Sequence, residues 1–384
     1  MGFLKTTTIG QSLENNRVNI YGWIEGSYEY NFNVRDRGPN IGRTFDVLEN
    51  NKGYLNQVDL TFEKKANLTG AGWDVGGRVD IMYGSDSRFT TSSDLLSHQG
   101  DENSFGLGRQ EAWLDIPQAY IDIAIPVLNG MRLRIGKFEF FKVVNPNANA
   151  LYTHPFEYGQ AFPYSLTGIS AYTPLTTDLS VEGGVSRGWD QTLTDNNSAA
   201  LDGFGRVIWN LSDVLRISAA VISGPEQYHD NGHFTTTANV SVLYTPIDQF
   251  AFVLDAICGH QAGAVFGDFP GSNAAPTVPL KIGGANWYGL TGTAAYKLND
   301  WVTLNGRMEW YRDEEGYTEG FPGQLNLYET AIGLKLTPLS STAIGDNFIL
   351  RPEIRYDYSS RAFFNVADPR HDQVTFAIDA IVNF

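Results

Sequence analysis

An alternation of apolar and polar residues with period two, repeated along the whole chain, constrains its fold more than any other feature. It is cleanest in the last segment. There Val374, Phe376, Ile378, Ala380, Val382 and Phe384 fall on one face and Thr375, Ala377, Asp379 and Asn383 on the other, with Ile381 the exception. Successive side chains of a strand point to opposite sides, so this spacing belongs to a strand and not to a helix. The pattern recurs upstream. Val58, Leu60 and Phe62 alternate with Gln57, Asp59, Thr61 and Glu63, and Trp73, Val75, Val79 and Ile81 with Asp74, Arg78 and Asp80. Met131, Leu133 and Ile135 alternate with Arg132 and Arg134, and Leu215, Ile217, Ala219 and Val221 with Arg216 and Ser218. Val302, Leu304, Met308 and Trp310 alternate with Thr303, Asn305, Arg307 and Glu309, and Phe348, Leu350, Ile354 and Tyr356 with Arg351, Glu353, Arg355 and Asp357. Weaker cases begin near Arg17, Gln118, Leu166, Leu179, Gly203, Thr235, Phe250, Trp287 and Gln324.

About sixteen such segments are present, each near the 9 to 11 residues that cross a bilayer at a tilt. Their connections alternate in length. Residues 66–72, 126–130, 174–178, 211–213, 246–249 and 299–300 form short ones, rich in the Asn, Asp, Gly and Pro of tight turns. Residues 32–52, 85–117, 142–164, 260–286 and 359–372 form long ones. That sorting is expected of a transmembrane antiparallel β-barrel, with short periplasmic turns and long external loops. Residues 1–16 are then a periplasmic segment and residues 17–384 one barrel domain.

In hydrocarbon every backbone N–H and C=O must be paired, and strands achieve this only in a sheet without edges. The last strand is therefore expected to pair with the first. In that strand Val18, Ile20, Ile24, Tyr28 and Tyr30 alternate with Asn19, Glu25, Ser27 and Glu29. A barrel of this size encloses an aqueous channel.

Composition agrees. Charged residues are 18 %, below the roughly 25 % of soluble proteins, and aromatic residues are 13 %, with 40 glycines. Mean hydropathy is −0.23, and no apolar run reaches the roughly 18 residues of a membrane helix. The net charge of −16 excludes nucleic acid as a partner, because phosphate binding needs clustered Lys and Arg. Cys258 is the single cysteine, so no internal disulfide forms. The start, Met1-Gly2-Phe3-Leu4-Lys5, lacks a basic stretch followed by an apolar one, so the chain is expected to be the mature form of an exported protein.

Specific stretches resemble the OmpL-like family of β-barrel porins. The likeness lies in Gln118-Ala119-Tyr120-Ile121-Asp122, Arg134-Ile135-Gly136-Lys137-Phe138, Leu166-Thr167-Gly168-Ile169 and Gly183-Gly184-Val185-Ser186-Arg187-Gly188-Trp189-Asp190. The ending Val382-Asn383-Phe384 looks like the aromatic-terminated signal read by barrel-assembly machinery, with Phe384 at its last position. The resemblance implies a passive porin in the outer membrane of a Gram-negative-type bacterium. It also implies lipid around the barrel and small hydrophilic solutes within it. Porins of this size are commonly trimers, so a homotrimer is expected.

The candidate pore-lining residues are Arg78, Asp80, Arg132, Arg134, Arg206, Arg216, Arg307, Glu309, Arg351, Glu353 and Arg355. The arginines either set a transverse field against acidic groups of an infolded loop or simply pair with Asp80, Asp122, Glu182, Glu309 and Glu353. Residues 142–164 are the candidate constriction loop, with Asn145, Asn147, His154, Glu157 and Tyr158. The alternatives are a surface loop or an oligomer contact. Residues 85–115, with Asp86, Asp94, Asp101, Glu102 and Glu111, are the competing plug. Trp73, Tyr83, Trp209, Tyr244, Tyr296, Trp310, Tyr356 and Phe384 are expected to form interface girdles. Tyr21 and Trp23 are the aromatics of lumen parity, too few for sugar stacking.

No chemistry is expected. The six histidines lie in or beside expected loops, away from any strand-held nucleophile. His229 and His233 flank Asp230-Asn231-Gly232, a turn rather than the helix a metal pair would need. Residues 190–197 are acidic but lack EF-hand spacing, and no phosphate-binding glycine loop occurs. Neither a cofactor nor a metal is therefore expected. A plugged barrel that anchors a surface partner is the second reading, and a barrel hydrolase the third.

Overall fold

The computed structural model describes residues 12–384, apart from residues 14, 35–39, 41, 44, 46–49, 93–111, 142, 160, 193–198, 269–279, 343 and 366–367. Seventeen strand segments follow in order. They are β1 (Val18–Asn31), β2 (Lys52–Lys64), β3 (Asp74–Gly84), β4 (Trp113–Asp115), β5 (Ala119–Ile125), β6 (Met131–Phe138), β7 (Leu166–Pro174), β8 (Leu179–Trp189) and β9 (Asp202–Ser212). Then come β10 (Leu215–Pro225), β11 (Phe234–Ile247), β12 (Phe250–Phe266), β13 (Leu280–Asn299), β14 (Val302–Asp313), β15 (Leu325–Leu336), β16 (Phe348–Ser359) and β17 (Asp372–Asn383). β4 and β5 both pair with β3, so they are one wall strand interrupted around Pro117, which has no N–H to give a ladder. The wall therefore has sixteen strands, every neighbour antiparallel.

The first and last strands close it as expected. β1 pairs with β17 from Trp23↔Asn383 to Asn31↔Thr375. Two further bonds finish the seam, Gly22 N to Phe384 O at 3.1 Å and Phe384 N to Gly22 O at 3.0 Å.

Side-chain parity explains which way each strand faces. Ile24, Val79, Val207, Met308, Ile354 and Val382 are exposed on the outer face, while Glu25, Asp80, Arg307, Arg355 and Asp379 are buried within. Trp73, Trp209, Tyr244, Tyr296, Tyr356 and Phe384 also face out. Ile381, the exception in the last strand, points inward. It packs with Trp23 and Ile349 against Tyr21.

Three features depart from expectation. Both ends of the loop expected over residues 260–286 are strand, because β12 and β13 run for 17 and 20 residues. His260 pairs with Asn286 on adjacent strands, with a 2.8 Å side-chain bond, so polar outward residues there continue the ladder. The connection 337–347 is long for the short-turn end. Finally, the interior is not polar throughout. Towards the long-loop end, Trp189, Phe204, Ile222, Trp287, Tyr311 and Leu327 form one buried apolar cluster with Phe156, Phe162, Phe363 and Phe364 from the loops. Loops that fold inward give these inward strand residues apolar partners and keep water from them.

Candidate functional site

Residues 139–165 leave β6 and return to β7 across the interior. Two single turns stiffen the crossing, at Pro146–Ala148 and Phe156–Tyr158. Asn145 caps the first, its side chain accepting the Asn147 N–H at 2.9 Å.

One side of the wall holds this segment. Arg351 is 2 % exposed and spends its fork of donors in two directions. Nη1 donates to the carbonyls of Pro146 at 2.8 Å and Asn149 at 2.9 Å, while Nη2 meets Asp379 at 2.6 Å and Glu25 at 3.1 Å. Glu353 accepts the N–H groups of Tyr152 and Thr153 at 2.9 and 3.2 Å. It also accepts the Thr153 hydroxyl. Arg307 donates to the Thr153 carbonyl at 2.6 Å and pairs with Glu329 at 2.9 Å. Glu309 accepts the N–H groups of Phe156 and Glu157 at 2.6 and 2.8 Å. Arg355 donates to the His154 carbonyl and pairs with Asp357 at 2.7 Å. Asn147 exchanges bonds of 2.8 and 3.1 Å with Asn383. Charged groups of β14 and β16 are thus engaged with loop backbone, as buried polar groups must be.

A second segment enters from the same side. Arg43, between β1 and β2, meets Glu29 at 2.6 Å and Asp357 at 2.5 Å. Phe45 meets Phe89 and Tyr164 edge-on and His154 and Tyr158 at a tilt, at centroid distances of 4.7 to 5.8 Å.

The opposite wall carries the other arginines. Arg132 and Arg206 share one carboxylate, Glu182, at 2.9 and 2.6 Å. Arg134 pairs with Asp122 at 2.8 Å and lies 3.6 Å from the Tyr120 ring centre. Arg78 pairs with Asp80 at 2.6 Å. Arg216 has no carboxylate within ion-pair distance among the described residues, and it stays partly open to the lumen. Around Glu182 the arginines Arg132 and Arg206 thus outnumber the carboxylate that pairs with them.

The crossing segment answers with acids. Glu157 lies against the inner wall, its Oε2 2.9 Å from where a Cβ on Gly289 would stand. Burial, then the nearby Glu309 and Asp255 charges, hold its carboxyl well above the usual range. Burial also raises Glu139, which accepts the Val144 N–H at 3.0 Å, to about 7. The Tyr158 hydroxyl, which donates to the Val143 carbonyl at 2.8 Å, is likewise pushed up by burial.

Two cavities lie between the segment and the wall of β9 to β13, and a third lies along the wall towards the short turns. One of about 330 Å³ is lined by Phe140, Phe141, Arg206, Arg216, Ser218, Asn239, Ser241 and Asp255. A second of about 330 Å³ shares Phe141, Asn239, Val253 and Asp255 with it and adds Glu157, Thr291, Thr293 and Arg307. A third of about 520 Å³ shares Arg216 and Leu243 with the first and reaches the turn at Ser212 and Asp213.

The structure thus divides the sequence candidates into two groups. Arg307, Glu309, Arg351, Glu353 and Arg355 lie beneath the crossing segment with Asn145, Asn147, His154, Glu157 and Tyr158. Arg78, Asp80, Arg132, Arg134, Arg206 and Arg216 stand on the other side. Sequence reasoning left Glu25, Asp255, Asp357 and Asp379 outside the site, although their inward parity is legible. It also missed Arg43, which sits in a loop without periodicity. Of the competing plug, Asp94, Asp101, Glu102 and Glu111 lie outside the described residues. Asp86 is buried, accepting Gln57 Nε2 at 2.9 Å. His233 meets Asp230 at 2.6 Å, and His229 stacks on Tyr228 with centroids 4.1 Å apart.

The family model described as "Putative beta-barrel porin-2, OmpL-like" matches residues 17–384. No curated protein sequence matches the chain. Solved barrels share the fold. An anion-selective porin from Comamonas acidovorans is 9 % identical with a TM-score of 0.61, covering 96 % of this chain and 99 % of that one. The outer membrane channel DcaP of Acinetobacter baumannii is 10 % identical with a TM-score of 0.58, covering 96 % and 97 %. The trimer form of OmpT from Vibrio cholerae is 10 % identical with a TM-score of 0.57, covering 96 % and 99 %.

Proposed function

We propose, from the premise that the chain belongs to the OmpL-like β-barrel porin-2 family and is a porin of the Gram-negative outer membrane, that small hydrophilic solutes and ions cross it by passive diffusion. Their route follows the cavities between residues 139–165 and the wall of β9 to β13. The observation that carries this reading is the continuity of those cavities, which share Arg216 and Leu243 at one junction and Asn239 and Asp255 at the next. Arg206, Arg216 and Asp255 on that wall give the route a local field that orients dipolar solutes. Arg307, Glu309, Arg351, Glu353 and Arg355 act at one remove, by fixing the segment that narrows the lumen. Asn145, Asn147, His154 and Tyr158 shape that segment.

Three further parts belong to the same reading. Residues 1–16 are a periplasmic segment, Phe384 serves as the barrel-assembly signal, and the chain assembles as a homotrimer in lipid. The trimer rests on analogy with OmpT. No cofactor and no catalytic step are called for.

Single-channel recording in a planar bilayer tests the proposal. Steady conductance in potassium chloride supports it. The apolar cluster at the long-loop end favours the second reading, a plugged barrel that anchors a surface partner. An inserted, heat-modifiable barrel that stays silent would select that reading.

A further inference from the structure

The two cavities of about 330 Å³ that share Phe141, Asn239, Val253 and Asp255 form one slit with unlike faces. The crossing segment gives it carbon. Phe140 and Phe141 line the first cavity, and Phe141, Val143, Leu151 and Phe162 the second. Phe141 and Phe162 lie nearly parallel, at 14° with ring centres 5.4 Å apart, and Phe140 meets Phe141 edge-on at 4.8 Å. Besides Leu243 and Val253, the strand wall gives polar groups, Ser218, Asn239 and Ser241 in the first cavity and Thr291 and Thr293 in the second. Two charges stand among them. Asp255 is level with Ser241 and, through it, with Ser218, whereas Arg216 stands two residues nearer the short-turn end of β10, opposite Leu243. Neither has an ion-pair partner among the described residues. Arg216 meets no carboxylate. The polar neighbours of Asp255 are the neutral side chains of Ser241 and Asn239, with the Glu157 carboxyl in the same cavity.

Water in the slit meets rings that it hydrogen-bonds poorly, so a solute with an apolar body is favoured there over a purely hydrophilic one. One cation and one anion, each without a protein counter-charge, favour a solute that carries both signs. We propose that the slit binds aromatic α-amino acids in transit, with the carboxylate drawn to Arg216, the ammonium to Asp255 and the ring to Phe140 and Phe141. This inference rests on the diffusion route above and names the solutes which that route holds. An inorganic ion uses one of the three contacts and glycine two. An aromatic carboxylate without an ammonium carries its charge past Asp255 unanswered. Contacts of this modest strength suit a passage, because a solute must leave as well as enter.

The test uses the full chain in a planar bilayer with potassium chloride on both sides. L-Phenylalanine, glycine, 3-phenylpropanoate and 2-phenylethylamine are added in turn, and the fall in open-channel current is read against concentration after correction for bulk conductivity. L-Phenylalanine is expected to block with saturation, at a half-blocking concentration about threefold or more below those of the other three, the fold-change of one aromatic contact. Arg216→Gln, Asp255→Asn and Phe141→Ala each raise that concentration. The first two alter polar tips alone, so they remain readable should the third fail to insert. An open channel that L-phenylalanine does not block at any concentration up to its solubility would overturn the proposal and leave the diffusion route standing. Block unchanged in both Arg216→Gln and Asp255→Asn would overturn it too. Stronger block by 3-phenylpropanoate than by L-phenylalanine would assign the slit to organic monoanions instead. A channel silent in potassium chloride would overturn the diffusion route and this inference together.

Discussion

The ring of Phe384 lies over Gly22. A Cβ at Gly22 would stand 2.6 Å from Phe384 Cζ and 2.1 Å from the Asp59 carbonyl, and the two residues exchange both main-chain hydrogen bonds. Glycine is required because the neighbouring strand and the terminal ring approach its α-carbon from two sides. Gly22→Val is expected to part the seam, costing about 3 kcal/mol or more by overpacking. Loss of the heat-modifiable folded band on a gel reads this directly. A variant that migrates as the wild type would mean the seam tolerates displacement.

Arg351 ties the crossing segment to the wall. Arg351→Ala leaves Glu25 and Asp379 buried without their cation, and a change of this kind costs about 3–5 kcal/mol. Unfolding by denaturant should show that loss. Single-channel traces of whatever inserts should be noisier, because the carbonyls of Pro146 and Asn149 lose their donor. Quiet traces of wild-type conductance would show that Glu353, Arg307 and Glu309 suffice to hold the segment.

Arg216 and Arg307 should differ in kind. Arg216 borders two cavities and has no carboxylate partner among the described residues, whereas Arg307 pairs with Glu329 and bonds to Thr153. Arg216→Glu is expected to move the reversal potential in a salt gradient towards cation preference and leave stability within about 0.5 kcal/mol. Arg307→Gln should destabilise the fold more and move the reversal potential less. Equal shifts in reversal potential from both would remove the distinction between a lining residue and an anchoring one.

Protonation of Glu139 should favour the folded state. Burial raises its pKa from 4.5 to about 7, so the folded state holds the proton more tightly than the unfolded chain does. The stabilisation is complete below about pH 4.5 and is lost as pH rises through about 7. The thermal midpoint of Glu139→Gln should therefore fall less than that of the wild type across this window. Parallel curves would place the pH dependence elsewhere.

Much of the wall was legible because parity is a local property. Val382 and Asp379 announce their faces without reference to any other strand, and the need to pair every strand edge then joins β1 to β17. The lumen was less legible because what fills it is decided by loops. Trp287, Tyr311 and Leu327 are inward by parity, but parity cannot say whether water or Phe364 will meet them. In the same way, Glu353 and Arg355 read as pore-lining from their face alone. Only the path of residues 139–165, which has no periodicity of its own, turns them into anchors. The long ladder of β12 and β13 was cut short by the sequence reading, because His260 and Asn286 are polar where a membrane strand would be apolar.

The bonds from Arg351 to Pro146 and Asn149 span more than 200 positions of the chain. Their consequence is one of timing. During assembly the segment between β6 and β7 forms long before the strand that will grip it, and closing so large a loop carries an entropy cost that no local contact offsets. Until β16 and β17 arrive, the segment has no anchor and the nascent sheet has an open edge. Sealing the cylinder and narrowing its bore should therefore be a single late event. A barrel stalled before its last strands would be wide open, not partly constricted.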